Sequence, residues 1–194
     1  DSFLRTDNSG VPSNADKASK QSVSIARGII ERLGSEAKGA RLAAQMSGSK
    51  FEEVCSEFLK ETFACLGHIR PGKWEIGKGL GSGRLAIAHF DQYEHLAALE
   101  KAAKDNPQLA AALGSDYLIK PDVVIARYPE DDAVINQQKA LVNQDYARLT
   151  SLRAINNPNP ILHASVSCKW TLRSDRAQNA RSEGLNLVRN RKGR

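Results

Sequence analysis

Ile161-Leu162-His163-Ala164-Ser165-Val166-Ser167-Cys168-Lys169-Trp170 is an apolar run that closes on a lysine. Its length and its branched and apolar residues predict a β-strand over 161–170, with Lys169 near the end. A second strand is predicted over Tyr117 to Arg127, where Pro121-Asp122 opens the run Val123-Val124-Ile125-Ala126. Past the first run, Ala177 to Arg191 reads as a helix carrying Ala180, Leu185, Leu187 and Val188, with Gly184 as a weak point and Glu183 beside it. The arrangement is an acid at the start of one strand, a lysine late in another and an acid on the following helix. Hydrolysis of a phosphodiester needs a divalent cation to hold water and the scissile oxygens, and a positive charge near the developing negative one. Asp122 and Glu183 are candidates for the first requirement and Lys169 for the second.

Outward from these runs, residues 1–20 are rich in Ser, Asn, Asp and Lys and read as an irregular arm. Val23, Ala26, Ile29, Ile30 and Leu33 recur at helical spacing over Ser22 to Leu33. A longer helix is predicted from about Lys50 to Leu66, with Phe51, Val54, Cys55, Phe58, Leu59, Phe63 and Leu66 on one face. Trp74 to Ile76 and Arg84 to Phe90 read as strands around the loop Gly77-Lys78-Gly79-Leu80-Gly81-Ser82-Gly83. That loop has neither the Gly-Lys-Ser/Thr ending of a phosphate cradle nor a helix behind it, so it reads as a flexible hairpin loop. Helices are predicted over 91–104 and Pro107 to Leu113, and Ala140 to Leu152 has some helical period. No internal repeat is present. The mixture predicts a single α/β domain over 1–194, with a central mixed β-sheet flanked by helices.

Composition narrows the setting. The chain has 194 residues, 41% apolar and 26% charged, ordinary values for a globular domain with a real core. No apolar run reaches a membrane span and Asp1-Ser2-Phe3-Leu4-Arg5-Thr6 is not a secretory signal. Cys55, Cys65 and Cys168 are odd in number and lack paired spacing, which argues against a disulfide framework and for a reducing, cytoplasmic setting. His68, His89, His95 and His163 show no zinc-ligand spacing with them, and carboxylates suit a hard cation such as magnesium better. The net charge of +6 is uneven: Arg173, Arg176, Arg181, Arg189, Arg191, Lys192 and Arg194 face only Asp175 and Glu183 in the last stretch. Such a segment favours a polyanionic partner.

The spacing Pro121-Asp122, Lys169, Glu183 resembles a variant of the PD-(D/E)xK nuclease superfamily. The usual pattern has an acid two residues before the lysine. Here that residue is Ser167, and the acid moves to the next helix as Glu183. The likeness is to the NgoMIV-type restriction endonucleases, which cleave around a CCGG core. It is carried by Ser167 to Arg181, by the helix holding Phe51-Glu52, by His68-Ile69-Arg70-Pro71-Gly72 and by Gly114-Ser115-Asp116-Tyr117. The resemblance implies a restriction-endonuclease-like fold and magnesium, two ions per active site, held by Asp122, Glu183 and the backbone carbonyl of Cys168. Lys169 would orient the attacking water, and Glu52 and Glu183 would be supporting acids. The products implied are 5′-phosphate and 3′-hydroxyl ends. Arg173, Asp175 and Arg176 would read the CCGG core, since arginine donates twice to guanine and a carboxylate accepts from cytosine. Asp16 and Gln45 would touch outer bases. Double-stranded DNA with a GCCGGC-like palindrome would be bound by homodimers paired into a homotetramer. Family members continue beyond a Lys-Gly-Arg like that at 192–194, so a C-terminal portion with a further strand and part of the DNA and subunit contacts is expected to be missing.

Each residue also has a plainer reading. Asp122 alone could be a turn acid, Lys169 a strand-end lysine reaching water, and Glu183 an exposed helix acid. Ser49-x-x-Glu52 matches a capping box, so helix capping would account for Glu52. Arg173, Asp175 and Arg176 could be a solvated cluster of mutual ion pairs. Trp74 and Trp170 read as core residues and Cys168 as packed. Two rival functions stand beside a restriction enzyme: a repair or junction nuclease on the same scaffold, and a non-catalytic basic DNA-binding module.

Overall fold

The computed structural model describes residues 3–34, 37–39, 44–79, 85–114 and 118–193. They form two compact units, Asp1–Cys55 with Ser167–Gly184 and Ser56–Val166 with Leu185–Arg194. The elements in order are α1 (Lys20–Leu33), α2 (Ala44–Ala64), β1 (Trp74–Lys78), two 3-10 turns (Ala86–His89, Asp91–Tyr93), α3 (His95–Asp105), α4 (Pro107–Leu113), β2 (Val123–Arg127), α5 (Asp132–Ile135), β3 (Ile161–Val166) and α6 (Ser174–Asn190). Among the described residues no helix is long and apolar enough to cross a membrane.

The sheet belongs to the second unit. Its order is β1-β2-β3 and both pairings are antiparallel, so the described sheet lacks the parallel pair that a mixed sheet would have. β2 is central, and Val123, Val124, Ile125 and Ala126 are all buried. A strand covered on both faces shows an unbroken apolar run instead of alternation, which is how this one stands out in the sequence. Val124 and Ala126 join Ile87, Phe90, Tyr93, Leu96 and Ile119 in the core. Outside β3, the buried amide of Gln92 stands in for another strand: it donates to the Leu162 carbonyl at 2.8 Å and accepts from the Leu162 N–H at 2.9 Å. That satisfies backbone groups a bare edge would leave open. Tyr93 Oη donates to the Leu187 carbonyl at 3.0 Å, and burial raises the phenol pKa.

Several elements depart from the sequence expectation. The strand expected over Arg84 to Phe90 is a 3-10 turn over its described part, because Ile87, Phe90, Tyr93 and Leu96 step inward every three residues, the period of that helix. The helical period over Ala140 to Leu152 yields no helix. There Asn136 and Asn143 side chains accept from the backbone N–H groups of Leu141, Val142, Asp145 and Tyr146, offering the chain turns instead. Tyr117 and most of the glycine-rich loop lie outside the described residues.

The first unit is built on α1 and the arm. Ser19 caps α1 by accepting from the Ser22 N–H, and Gly34 ends it in the left-handed conformation. Ala26 and Ile30 point inward with Ala15. The arm is irregular, as expected, yet ordered: Asp7 accepts from the N–H groups of Ser9 and Val11 and pairs with Lys17 at 2.5 Å. The Lys17 hydrogen bond, then the Val11 N–H, hold its carboxyl pKa down at about 2.

Candidate active site and nucleic-acid interface

The strand expected to reach Trp170 stops at Val166, and the reason is a change of partner. Val123↔Val166 is the last pair of the β2–β3 ladder. Beyond it the chain is held by the arm: Leu172 bridges Ala15, and its N–H donates to the Asn14 carbonyl at 2.9 Å. Half-buried Trp170 packs against Phe3 and Phe51, ring centroids 4.5 and 5.5 Å away.

This anchored segment presents Lys169 to α6. Lys169 Nζ donates to both oxygens of Glu183, at 3.0 and 3.3 Å. Ser167 Oγ donates to Glu183 Oε2 at 2.5 Å. A carboxylate from the following helix therefore stands against the serine at which the usual nuclease pattern has its acid. The sequence marked Ser167 only as the position where the usual pattern has an acid; its hydroxyl also holds the Glu183 carboxylate. The signal was available, since a short donor at the position of a lost acid can only meet the replacement by hydrogen bonding to it. The Lys169 side chain is 20% exposed and that of Glu183 44%, so the pair faces solvent on one side.

Glu52 lies on α2 within the same unit and is half-buried. The capping-box explanation for it does not hold. α2 begins at Ala44, which puts Ser49 inside the helix, where its hydroxyl reaches Glu53 Oε1 at 3.4 Å instead of an N-terminal N–H. Gln45 is exposed in the first turn of α2. Arg173 Nε donates to Asp175 Oδ1 at 2.9 Å and lies 4.0 Å from Asp16 Oδ2, which gathers three of the expected base-reading residues. Arg176 is exposed in the first turn of α6. Pairs so open to water contribute little to stability.

Asp122 belongs to the second unit, half-buried and directly before Val123, the first residue of β2. Cys168 is half-buried. Among the described residues no three His, Cys, Asp or Glu side chains gather tightly enough to hold an ion. Carboxylate and carbonyl oxygens, the donor types that Asp122, Glu183 and the Cys168 backbone carry, are those a hard cation prefers. Ser115-Asp116-Tyr117, part of the family likeness, lie outside the described residues.

The chain is 56% identical over 192 residues to the type II restriction enzyme NgoMIV of Neisseria gonorrhoeae, an alignment covering 99% of this chain and 67% of that protein. The family description "NgoMIV restriction enzyme" matches residues 1–194. The segment that fixes Lys169 against Glu183 and Arg173 beside Asp16 is part of that match, and the chain belongs to the NgoMIV restriction enzyme family.

Proposed function

We propose that the protein is a type II restriction endonuclease that hydrolyses one phosphodiester in each strand of duplex DNA at a GCCGGC-like palindrome. The observation that carries the chemistry is the cluster of Ser167, Lys169 and Glu183, a cation and a carboxylate held together just past the end of a strand. Asp122, directly before Val123 at the start of β2, is the third member by its likeness to the family's Pro-Asp.

Asp122, Glu183 and the Cys168 carbonyl would hold magnesium, two ions per site, which supplies charge neutralisation and an activated water. Lys169 orients that water and steadies the phosphate oxygens. Water attacks phosphorus, the P–O3′ bond breaks, the departing 3′ oxygen takes a proton, and the ends are 5′-phosphate and 3′-hydroxyl. Glu52 is a supporting acid, a role favoured by its position inside α2. Arg173, Asp175 and Arg176 read the central C·G pairs, while Asp16 and Gln45 touch the outer ones. The fold is one catalytic domain working in the bacterial cytoplasm. A palindromic target calls for a two-fold protein, and the assembly is a homodimer paired into a homotetramer.

The test is digestion of a mapped plasmid by the full-length protein with magnesium, followed by sequencing of the ends. Cuts at one palindrome with a CCGG core are expected. Scattered cuts would favour a repair or junction nuclease, and binding without cutting under every divalent metal a non-catalytic module.

A further inference from the structure

We propose that Ser22 is a positioning residue for outer-base recognition, its hydroxyl setting the register of the arm against the core-reading segment. The inference rests on the reading of Asp16 and Arg173 as base contacts and deepens it. Ser22 is a small polar residue in the first turn of α1, 6% exposed. Its Oγ accepts from the Asp16 N–H at 2.8 Å and donates to the Leu172 carbonyl at 2.7 Å. One hydroxyl thus joins the backbone of Asp16 to Leu172, the residue before Arg173 and 150 positions beyond Ser22.

The two ends are also tied through the residues beside Asp16: Leu172 bonds Asn14 through its N–H and bridges Ala15. The Asp16 carbonyl accepts from Ser19 and its Oδ1 from Ala18, which shape its turn. The Ala15 bridge brings Asp16 alongside Leu172, and the Ser22 hydroxyl adds a buried side-chain contact to both backbones. Asp16 Oδ2 lies 4.0 Å from Arg173 Nε, at a concavity of about 430 Å³ also lined by Gln21, Ile25 and Ser174. A base edge read jointly by Asp16 and Arg173 needs their spacing fixed to a fraction of an ångström, since misplaced hydrogen bonds weaken steeply. Ser22 adds to that constraint. Threonine can keep both bonds, whereas alanine leaves the Asp16 N–H and a lone pair of the Leu172 carbonyl without this partner.

The experiment compares cleavage by the full-length protein of three duplexes: the intact palindrome, one altered in an outer base pair and one altered in the CCGG core. Wild type, Ser22→Ala, Ser22→Thr and Asp16→Ala are measured as ratios of kcat/KM. Ser22→Ala is expected to reduce outer-pair discrimination about tenfold, with core discrimination changed less than about twofold and Ser22→Thr close to wild type. If Asp16→Ala weakens outer discrimination and Ser22→Ala does not, the Ser22 inference is overturned and the base-contact reading stands. If Asp16→Ala leaves outer discrimination intact, the base-contact reading fails and this inference with it. A loss in Ser22→Ala spread equally over outer and core positions, in step with a fall in melting temperature, would also overturn it. Should Ser22→Ala fail to fold, Ser22→Cys, a poor hydrogen-bonding isostere, provides the same comparison.

Discussion

Two ion pairs divide the labour of this molecule. Arg153, 3% exposed, donates from Nε and Nη2 to both oxygens of Asp132 at 2.7 and 2.5 Å, and from Nη1 to the carbonyls of Asn143 and Arg148. Almost every donor of the guanidinium is used, and its partners come from the turn-rich connection between β2 and β3. Lys169 and Glu183 form a looser contact, on a side of their unit open to solvent, with a hydroxyl as third member. A charge surrounded by fixed acceptors has no capacity for a substrate. A charge whose partner can be drawn away by a polyanion has, so the first pair builds structure and the second is placed to act.

That contrast is broken most directly at Lys169. Lys169→Ala should lower plasmid cleavage by about 100- to 1,000-fold or more, the loss seen when a donor to developing charge is removed. DNA binding in calcium should be largely retained, and melting should move little, because exposed pairs are weak. Asp122→Ala should behave alike. A large stability loss with either would place them in the scaffold instead. Substituting Arg173 comes next, costing about 1–3 kcal/mol of discrimination for one bidentate base contact. Competition between palindromes differing in the core measures it, and unchanged site choice would remove Arg173 from the reading set.

At the other pair the pattern should invert. Arg153→Met removes the buried member of the pair and strands two carbonyls, while the Asp132 carboxylate is 38% exposed and can turn to water, which predicts a fall of a few degrees in melting temperature. Cleavage by the folded protein, measured cold, should suffer far less than in Lys169→Ala. The Arg153 hydrogen bonds also lower the Asp132 pKa. A carboxyl depressed in the folded state contributes stability that is present above its unfolded value near 4 and is lost as pH falls through the folded one. Arg153→Met should therefore lessen acid sensitivity below about pH 4 while lowering stability at neutrality.

The difference between the pairs also explains what could be read in the sequence. The Lys169–Glu183 contact was legible because a strand run and the helix after it fixed the spacing of the two residues. β2 was legible because burial on both faces leaves nothing polar in it. Arg153 was not: its role depends on carbonyls presented by turns whose geometry follows from Asn136 and Asn143 side chains, with no periodicity to betray it. Residues 86–89 were misread because a short apolar run suits a strand as well as a 3-10 turn. Ser49-x-x-Glu52 was misread because a capping box has meaning only at a helix start, and α2 is already helical at Ala44.

The smallest expected effect sharpens the comparison from a third charge, on the sheet. Ile125 pairs with Ala164 and Ala126 with Leu162, which leaves His163 as the extra residue of a bulge. The bulge turns its imidazole onto Trp74 and Phe63, centroids 4.9 and 6.3 Å away. Shielding from water lowers its pKa first, and the nearby Arg70 and Arg127 lower it further. Folding thus favours neutral His163. The favourable contribution is present above the unfolded value near 6.5 and disappears as pH falls through the lower folded value, so the unfolded chain takes up a proton the folded one resists. Because His163 is exposed on its other side, the effect is small: wild type should lose at most about a degree of melting temperature between pH 7.5 and 5.5, and His163→Gln should lose less. Added salt should shrink the difference only in part, because it screens the arginines and leaves the shielding by the rings. Equal pH slopes for the two proteins would mean that the imidazole is as well hydrated in the fold as in the open chain.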